Sequence, residues 1–320
     1  MYQNPDHTHW YGRIDGETPE YWRWHQAIKT CSLSDPKPAP SGRAVALLGF
    51  ACDEGVRRNQ GRIGASLGPA SLRDACRNLP WHFPDSVTIF DAGDIVCIGT
   101  QLEEAQLHLS DAIHQLQRNQ YFTVVMGGGH EVLYGHYKGL RKTFPDANIG
   151  IINFDAHFDL RAVDPDIGPT SGTGFWQIAQ EEPLRYLALG IQRNGNTKAL
   201  FEQARVLNVT LVQADDFQTG YRKGILDTIH TFIASMDMLY LTICLDVFAT
   251  AFAPGVSAPT ALGLHPDAIF RDALRPIISS PKLASMDIAE LNPNYDEDNR
   301  TAKLAAHLIS DIIFTQTLNT

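Results

Sequence analysis

Five consecutive residues, Asp155-Ala156-His157-Phe158-Asp159, set a carboxylate, an imidazole and a second carboxylate at i, i+2 and i+4. They follow the apolar run 149–154, which reads as a buried strand. On an extended backbone, period two sends all three side chains to the same side. Oxygen and nitrogen donors converging where a strand ends are a metal site in outline. A polar turn would also use Asp, but this alternation straight after a hydrophobic strand favours ligands. Two other strand ends carry similar groups. Gly127-Gly128-Gly129 lets the backbone approach a neighbour closely and ends in His130, and Cys244 and Asp246 close the apolar run 238–245 at i and i+2. His130, Asp155, His157, Asp159 and Asp246 offer nitrogen and hard oxygen, which suits Mn2+, Fe2+ or, less well, Zn2+. Such a set exceeds what one catalytic ion needs, so a binuclear site with bridging carboxylates is the simpler expectation.

The elements that must position these groups alternate along the chain. Apolar runs at 44–50, 87–90, 122–126, 149–154, 186–191, 209–212, 238–245 and 283–288 read as strands. Helical spacing or start signals appear from Pro69 and over 102–118, 132–144, 197–205, 225–236, 265–274 and 301–313. The alternation predicts a single α/β domain, residues 42–320, with a mostly parallel sheet. In such sheets ligands bind beyond the carboxyl ends of the strands, and polar stretches follow Phe50, Phe90, Met126, Phe154, Leu245 and Ile288. Residues 1–41, rich in Pro, Trp and His, read as an N-terminal wrap over the surface. The stretch Ser34-Asp35-Pro36-Lys37-Pro38-Ala39-Pro40 is its linker. His7, His9 and His25 read as exposed or packing residues.

The totals exclude several functions. A net charge of −10 disfavours nucleic acid as a partner, and no apolar run reaches membrane-spanning length. No signal peptide is visible, and five scattered cysteines without paired spacing point to a reducing cytoplasm. An acidic protein that takes an anionic substrate must concentrate positive charge locally. Arg57, Arg58 and Arg62 cluster in the loop 53–68 and Arg161 follows the central block, so these four are candidates for binding carboxylates. The competing role for each is an ion pair with a neighbour such as Asp53 or Glu54.

Taken in order, the blocks Gly127-Gly128-Gly129-His130, Asp155-Ala156-His157-Phe158-Asp159 and Cys244-Leu245-Asp246 with Ala253-Pro254-Gly255 resemble those of the ureohydrolase family, which includes arginase, agmatinase and formimidoylglutamase. The likeness spans residues 44–315. Stretches 53–62, 127–131, 253–259 and 287–293 are similar to the formimidoylglutamase branch. The resemblance implies an arginase-like fold, a three-layer αβα sandwich around a roughly eight-stranded sheet. It also implies two Mn2+ per chain, about the number a bridged site holds. His130, Asp155, Asp159 and residue 244 would hold one ion; His157, Asp155, residue 244 and Asp246 would hold the other. The family commonly has a bridging Asp at 244, where this chain has Cys, a softer ligand than Mn2+ prefers. Proximity to two cations would lower its pKa. Phe175 stands where arginases carry a histidine, which argues against arginase chemistry.

The implied reaction is hydrolysis of N-formimidoyl-L-glutamate to L-glutamate and formamide, as in histidine degradation. A hydroxide generated at the metals would attack the amidine carbon, with Asp159 accepting a hydrogen bond from it and Glu290 pairing with the cationic amidine. Two alternatives stay open: an agmatinase or guanidino-acid hydrolase, and a non-catalytic ureohydrolase-fold binding protein whose metal site is impaired at Cys244. The family's members are often oligomers, so a homo-oligomer is a further expectation, without a fixed stoichiometry.

Overall fold

The computed structural model describes residues 1–35 and 37–318. Pro36, inside the expected linker, and Asn319 and Thr320 lie outside them. Residues 1–41 are woven into the sheet more closely than a surface wrap. They supply β1 (Tyr2–Gln3), a short helix α1 (Trp24–Ala27) and β2 (Lys29–Thr30). Both short strands lie on one later strand, β1 antiparallel and β2 parallel to it. Trp10, Trp24 and Ile28 are buried, and the Trp10 indole N–H donates to Asp91 at 2.8 Å. The segment thus covers a sheet edge that would otherwise present unpaired backbone groups.

Eight longer strands follow: β3 (Arg43–Ala51), β4 (Val87–Val96), β5 (Phe122–Met126), β6 (Ile149–Phe154), β7 (Tyr186–Ile191), β8 (Thr210–Gln213), β9 (Met238–Cys244) and β10 (Leu283–Ala289). All eight pair in parallel, in the order β4-β3-β5-β10-β9-β6-β7-β8, with β1 outside β4. Their apolar runs are continuous because helices cover both faces. The helices between them are α2 (Glu54–Arg58), α3 (Gly68–Cys76), α4 (Leu102–Arg118), α5 (Val132–Thr143), α6 (Gly174–Glu181), α7 (Lys198–Val206), α8 (Arg222–Ala234), α9 (Ala268–Ile278) and α10 (Arg300–Leu318). One core lies under α3, α8, α9 and α10, with Leu72, Ile229, Phe270 and Ile309 against Val45, Val124, Ile152 and Ile243. The other lies under α4 to α7, with Leu109, Leu133 and Phe175 against Leu48, Val125, Ile151 and Tyr240. This is the three-layer αβα architecture.

The structure departs from the sequence pattern where a long-range partner decides. β4 does not stop at Phe90 but runs through Asp91-Ala92-Gly93-Asp94 to Val96. The reason is Arg73 of α3, fully buried, whose guanidinium meets both Asp91 oxygens at 2.9 Å and Asp94 at 2.8 Å. Paired this way, a carboxylate can sit in a strand interior. The short helices α2 and α6 lie in stretches expected to be irregular or left unassigned. α9 begins after Asp267, which caps the amides of Ile269 and Phe270.

Candidate metal centre and active site

Four strand ends on the carboxyl side of the sheet meet at one place. β5 delivers the glycine turn and His130. A side chain at Gly128 would bring its Cβ within 1.8 Å of the Cys52 carbonyl, so only glycine lets this turn lie against the end of β3. The turn is pinned by Gly129 N–H to Cys52 O at 2.9 Å and by Glu290 N–H to Gly128 O at 2.8 Å. β6 ends at Phe154, and residues 155–159 turn rather than run extended; Asp159 has φ of 49°. The three side chains predicted to share a strand face do converge, but by a different route. The His157 amide donates back to Asp155 Oδ1 at 2.7 Å, curling the loop so that its donors face inward. Asn196 holds this curl from outside, accepting from Phe158 N–H at 3.0 Å and donating to Ala156 O at 2.9 Å.

The resulting geometry contains two groups of donor atoms, each within ligand-sharing distance of one another. One joins His130, Asp155 and Cys244; the other joins Asp155, His157 and Asp246. Asp155 belongs to both. Its Oδ2 lies 3.0 Å from His130 Nδ1 and its Oδ1 lies 3.5 Å from His157 Nδ1. Asp159 stands beside the first group, with Oδ2 2.8 Å from His130 Nδ1, and Asp246 Oδ2 is 3.2 Å from His157 Nδ1. Cys244, expected to bridge, joins the first group.

Charge in this pocket is unusually crowded. Burial works against the Asp155 charge, but hydrogen bonds from His130 and His157 prevail and hold it below the usual carboxylate range. Burial would likewise keep both imidazoles neutral. Asp155 and Asp159 outweigh it at His130, holding it well above its ordinary value, and Asp246 with Asp155 pushes His157 up to about 12. Asp159 and Asp246 are raised, first by burial and then by the Asp155 charge. Glu290 is pushed up to about 8, by burial and then by Glu131 and Asp246. Cys244 is raised too, by burial and then by Asp155, Asp246 and Glu290. The protein's own field therefore opposes the thiolate, and only added positive charge could bring its pKa down.

These residues fit a cation. Asp246 Oδ1 and Glu290 Oε2 are buried with no hydrogen-bond partner. Lone pairs of four carboxylates, two imidazoles and a thiol crowd a space that hydrogen bonds alone do not satisfy. Buried acids at this density are a setting that a bound cation would stabilise, and nitrogen with hard oxygen suits manganese better than the single sulfur does.

Above the donors lies a cleft of about 330 Å3, a size that takes a small metabolite. His130, His157, Asp159, Cys244, Asp246 and Glu290 line its floor; Asn59, Arg62, Arg161, Asn196 and Ser257 are among those lining its walls. Of the four arginines predicted to meet substrate, Arg57 and Arg58 do not line it. Glu54, buried at the start of α2, takes the Arg57 guanidinium at 2.5 and 2.7 Å and Arg58 Nε at 2.9 Å. Arg58 is further held by Glu103 and by the carbonyls of Thr100 and Pro169. Arg62 lines the cleft but clamps the carbonyls of Val256 and Ser257 and lies 4.0 Å over the Tyr295 ring. Arg161 lines it with one side-chain hydrogen bond, to Asn59 at 2.7 Å. Phe175 is fully buried, stacked on Tyr186 and edge-on to His130. Asn59 and Asn196 had no signal in the sequence, since an Asn in a loop looks alike whether it faces a cleft or water.

Known proteins resemble this chain along nearly its whole length. The profile of the arginase family matches residues 43–315. A formimidoylglutamase of Geobacillus kaustophilus (strain HTA426) is 48% identical over 96% of this chain and 95% of that protein. One from Lysinibacillus sphaericus (strain C3-41) is 44% identical over 98% and 97% of the two chains. The crystal structure of Trypanosoma cruzi formiminoglutamase with Mn2+ has a TM-score of 0.78 at 25% identity, covering 87% of this chain and 95% of that one. The Bacillus subtilis formimidoylglutamase reaches a TM-score of 0.83 at 24% identity over 96% and 94% of the two chains, a likeness of fold. Among the described residues no helix is long and apolar enough to cross a membrane. Fold, relatives and the profile all point one way: the chain belongs to the arginase family and is a hydrolase of amidine C–N bonds.

Proposed function

We propose that the chain hydrolyses N-formimidoyl-L-glutamate to L-glutamate and formamide with two Mn2+, held by His130, Asp155, Asp159 and Cys244 on one side and by His157, Asp155 and Asp246 on the other. The observation that carries this reading is Asp155, whose two oxygens lie toward the two donor groups beneath the cleft. The relatives named formimidoylglutamase support the substrate.

When bound, manganese supplies Lewis acidity and makes water acidic enough to be a nucleophile at neutral pH. The rest falls to the side chains. Asp159, held at left-handed φ on the cleft floor, accepts a hydrogen bond from the attacking oxygen and so aims it at the amidine carbon. Glu290 accepts the amidine N–H groups on Oε2, its other oxygen being taken by the His130 amide. A cationic amidine beside it offsets the burial that raises its pKa. Arg161 pairs with a substrate carboxylate, and Asn59 fixes the orientation of its guanidinium. After addition to the carbon, the bond from carbon to the glutamate nitrogen breaks, and that nitrogen takes up the proton that the attacking oxygen gives to Asp159, which leaves formamide and the amine of glutamate. We place the reaction in the cytoplasm, on cysteines without a disulfide pattern.

Assaying formimidoylglutamate, agmatine and arginine with added Mn2+, with metal counted per chain, tests this. Turnover of the first with two ions bound is expected. Faster turnover of either guanidine compound overturns the substrate. No turnover and no tightly held metal would favour the non-catalytic reading.

A further inference from the structure

The strands that end at the metal centre carry buried polar residues beneath it. Period two puts Tyr240, Thr242 and Cys244 of β9 on the face covered by α5, and the register sets Tyr240 beside Ser285 and Thr242 beside Asp287 of β10. Tyr240, Thr242, Ser285, Asp287 and His136 of α5 are all fully buried. Polar groups are expensive there unless every one is satisfied. They are. Asp287 Oδ1 accepts from the Thr242 hydroxyl at 2.6 Å, and Oδ2 accepts from the Tyr240 hydroxyl and from His136 Nδ1 at 2.8 Å. His136 Nε2 lies 2.6 Å from Ser285 Oγ, which donates to Thr123 O at 2.9 Å.

The upper end of this network is a metal-site residue. Thr242 Oγ1 lies 2.9 Å from His130 Nε2. A carboxylate only accepts, and a threonine has one hydroxyl hydrogen, which goes to Asp287. The Thr242 oxygen must therefore accept from His130 Nε2–H. With that nitrogen protonated, the lone pair of a neutral His130 ring sits on Nδ1, the atom facing Asp155 and Asp159. We propose that Asp287 is a positioning residue for the metal centre: acting through Thr242, it selects the His130 tautomer that offers Nδ1 as a ligand. The inference rests on the two-ion reading above. Without an acceptor at 287, the Thr242 hydroxyl is free to turn and donate to Nε2, which drives the proton onto Nδ1 and removes the ligand. Asp287→Asn does this actively. With its carbonyl kept toward Tyr240 and His136, its NH2 faces Thr242 and reverses the relay.

Manganese titration of Thr242→Val, Thr242→Ser and Asp287→Asn, beside the unaltered protein, tests this. The unaltered protein should hold two ions. Thr242→Val and Asp287→Asn should each bind one of them about 10- to 100-fold more weakly, as loss of such a partner typically does, with the other ion unaffected. Their kcat should recover in excess Mn2+ at unchanged KM for formimidoylglutamate. Thr242→Ser, which keeps the hydroxyl, should bind like the unaltered protein. A network that served folding alone would lower melting temperature without a site-selective loss of metal. If the unaltered protein holds two ions and Thr242→Val or Asp287→Asn binds both as tightly, the tautomer role is wrong and the two-ion site stands. If the unaltered protein holds fewer than two, the metal reading itself fails and the inference falls with it. Should one variant fail to fold, the other carries the same comparison.

Discussion

Glu290 holds the backbone N–H of His130 through Oε1 at 2.8 Å while its Oε2 stays buried with no hydrogen-bond partner. One oxygen shapes the metal-site turn, and the other is left without a partner in a residue that lines the cleft. Glu290→Gln keeps an acceptor for the turn and removes the charge. A hydrogen bond to a charged group contributes about 1.5–3 kcal/mol, so kcat/KM should fall about 10- to 100-fold or more. Manganese per chain should not change. Unaltered kcat/KM would show that the amidine does not meet this carboxylate.

Asp155 is the one residue common to both donor groups. Asp155→Ala should therefore strip both ions, whereas Asp246→Ala should strip only the one near His157. Metal analysis after Mn2+ loading and desalting reads this directly. Retention of a full ion by Asp155→Ala would mean that the shared carboxylate is not a bridge.

The arginines separate by what they touch. Arg161→Ala should raise KM for formimidoylglutamate about tenfold or more with little change in kcat, the pattern of lost uniform binding. Arg57→Ala removes a half-exposed pair with Glu54 and should leave both constants near their starting values. Equal KM effects from the two would sink the assignment of Arg161.

Glu131, fully buried behind the glycine turn, accepts from the Gly55 amide at 2.8 Å, and burial pushes its carboxyl up to about 7. A carboxyl raised on folding favours the native state when protonated. That contribution is whole below the unfolded value of about 4.3 and is lost as pH rises through about 7. Glu131→Gln cannot ionise, so its melting temperature should gain a few degrees on the unaltered protein between pH 5 and 8. Parallel melting curves over that range would place the Glu131 proton elsewhere.

The donors were legible because their chemistry is local: Asp, His and Asp at spacing two after a buried strand can be recognised without knowing the partner strands. The reason offered for their convergence was less sound, since Asp159 reaches the site through a left-handed turn. Strand order was recoverable only as a class. Alternation implies parallel pairing, but nothing near 283–289 says which neighbours β10 will choose. Arg57 and Arg58 were misplaced for the same reason. Glu54 lies three residues before Arg57 and four before Arg58, and only the short helix α2 makes that spacing a contact. Thr242 and Asp287 looked like isolated polar residues in apolar runs, and their meaning appears when the two strands are in register.

The position of β10 between β5 and β9 has a consequence for how the chain matures. It is the last strand to be synthesised, yet it is the seam of the sheet. Before it docks, the strands fall into two halves, β4-β3-β5 and β9-β6-β7-β8, each with a raw edge. His130 belongs to the first half, while Asp155, His157, Asp159, Cys244 and Asp246 belong to the second. A nascent chain that has not released residues 283–289 from the ribosome cannot bring them together. The donor group of His130, Asp155 and Cys244 is thus completed only after β10 docks, whereas that of Asp155, His157 and Asp246 lies within one half, and the two bare edges make truncated products targets for aggregation and proteolysis.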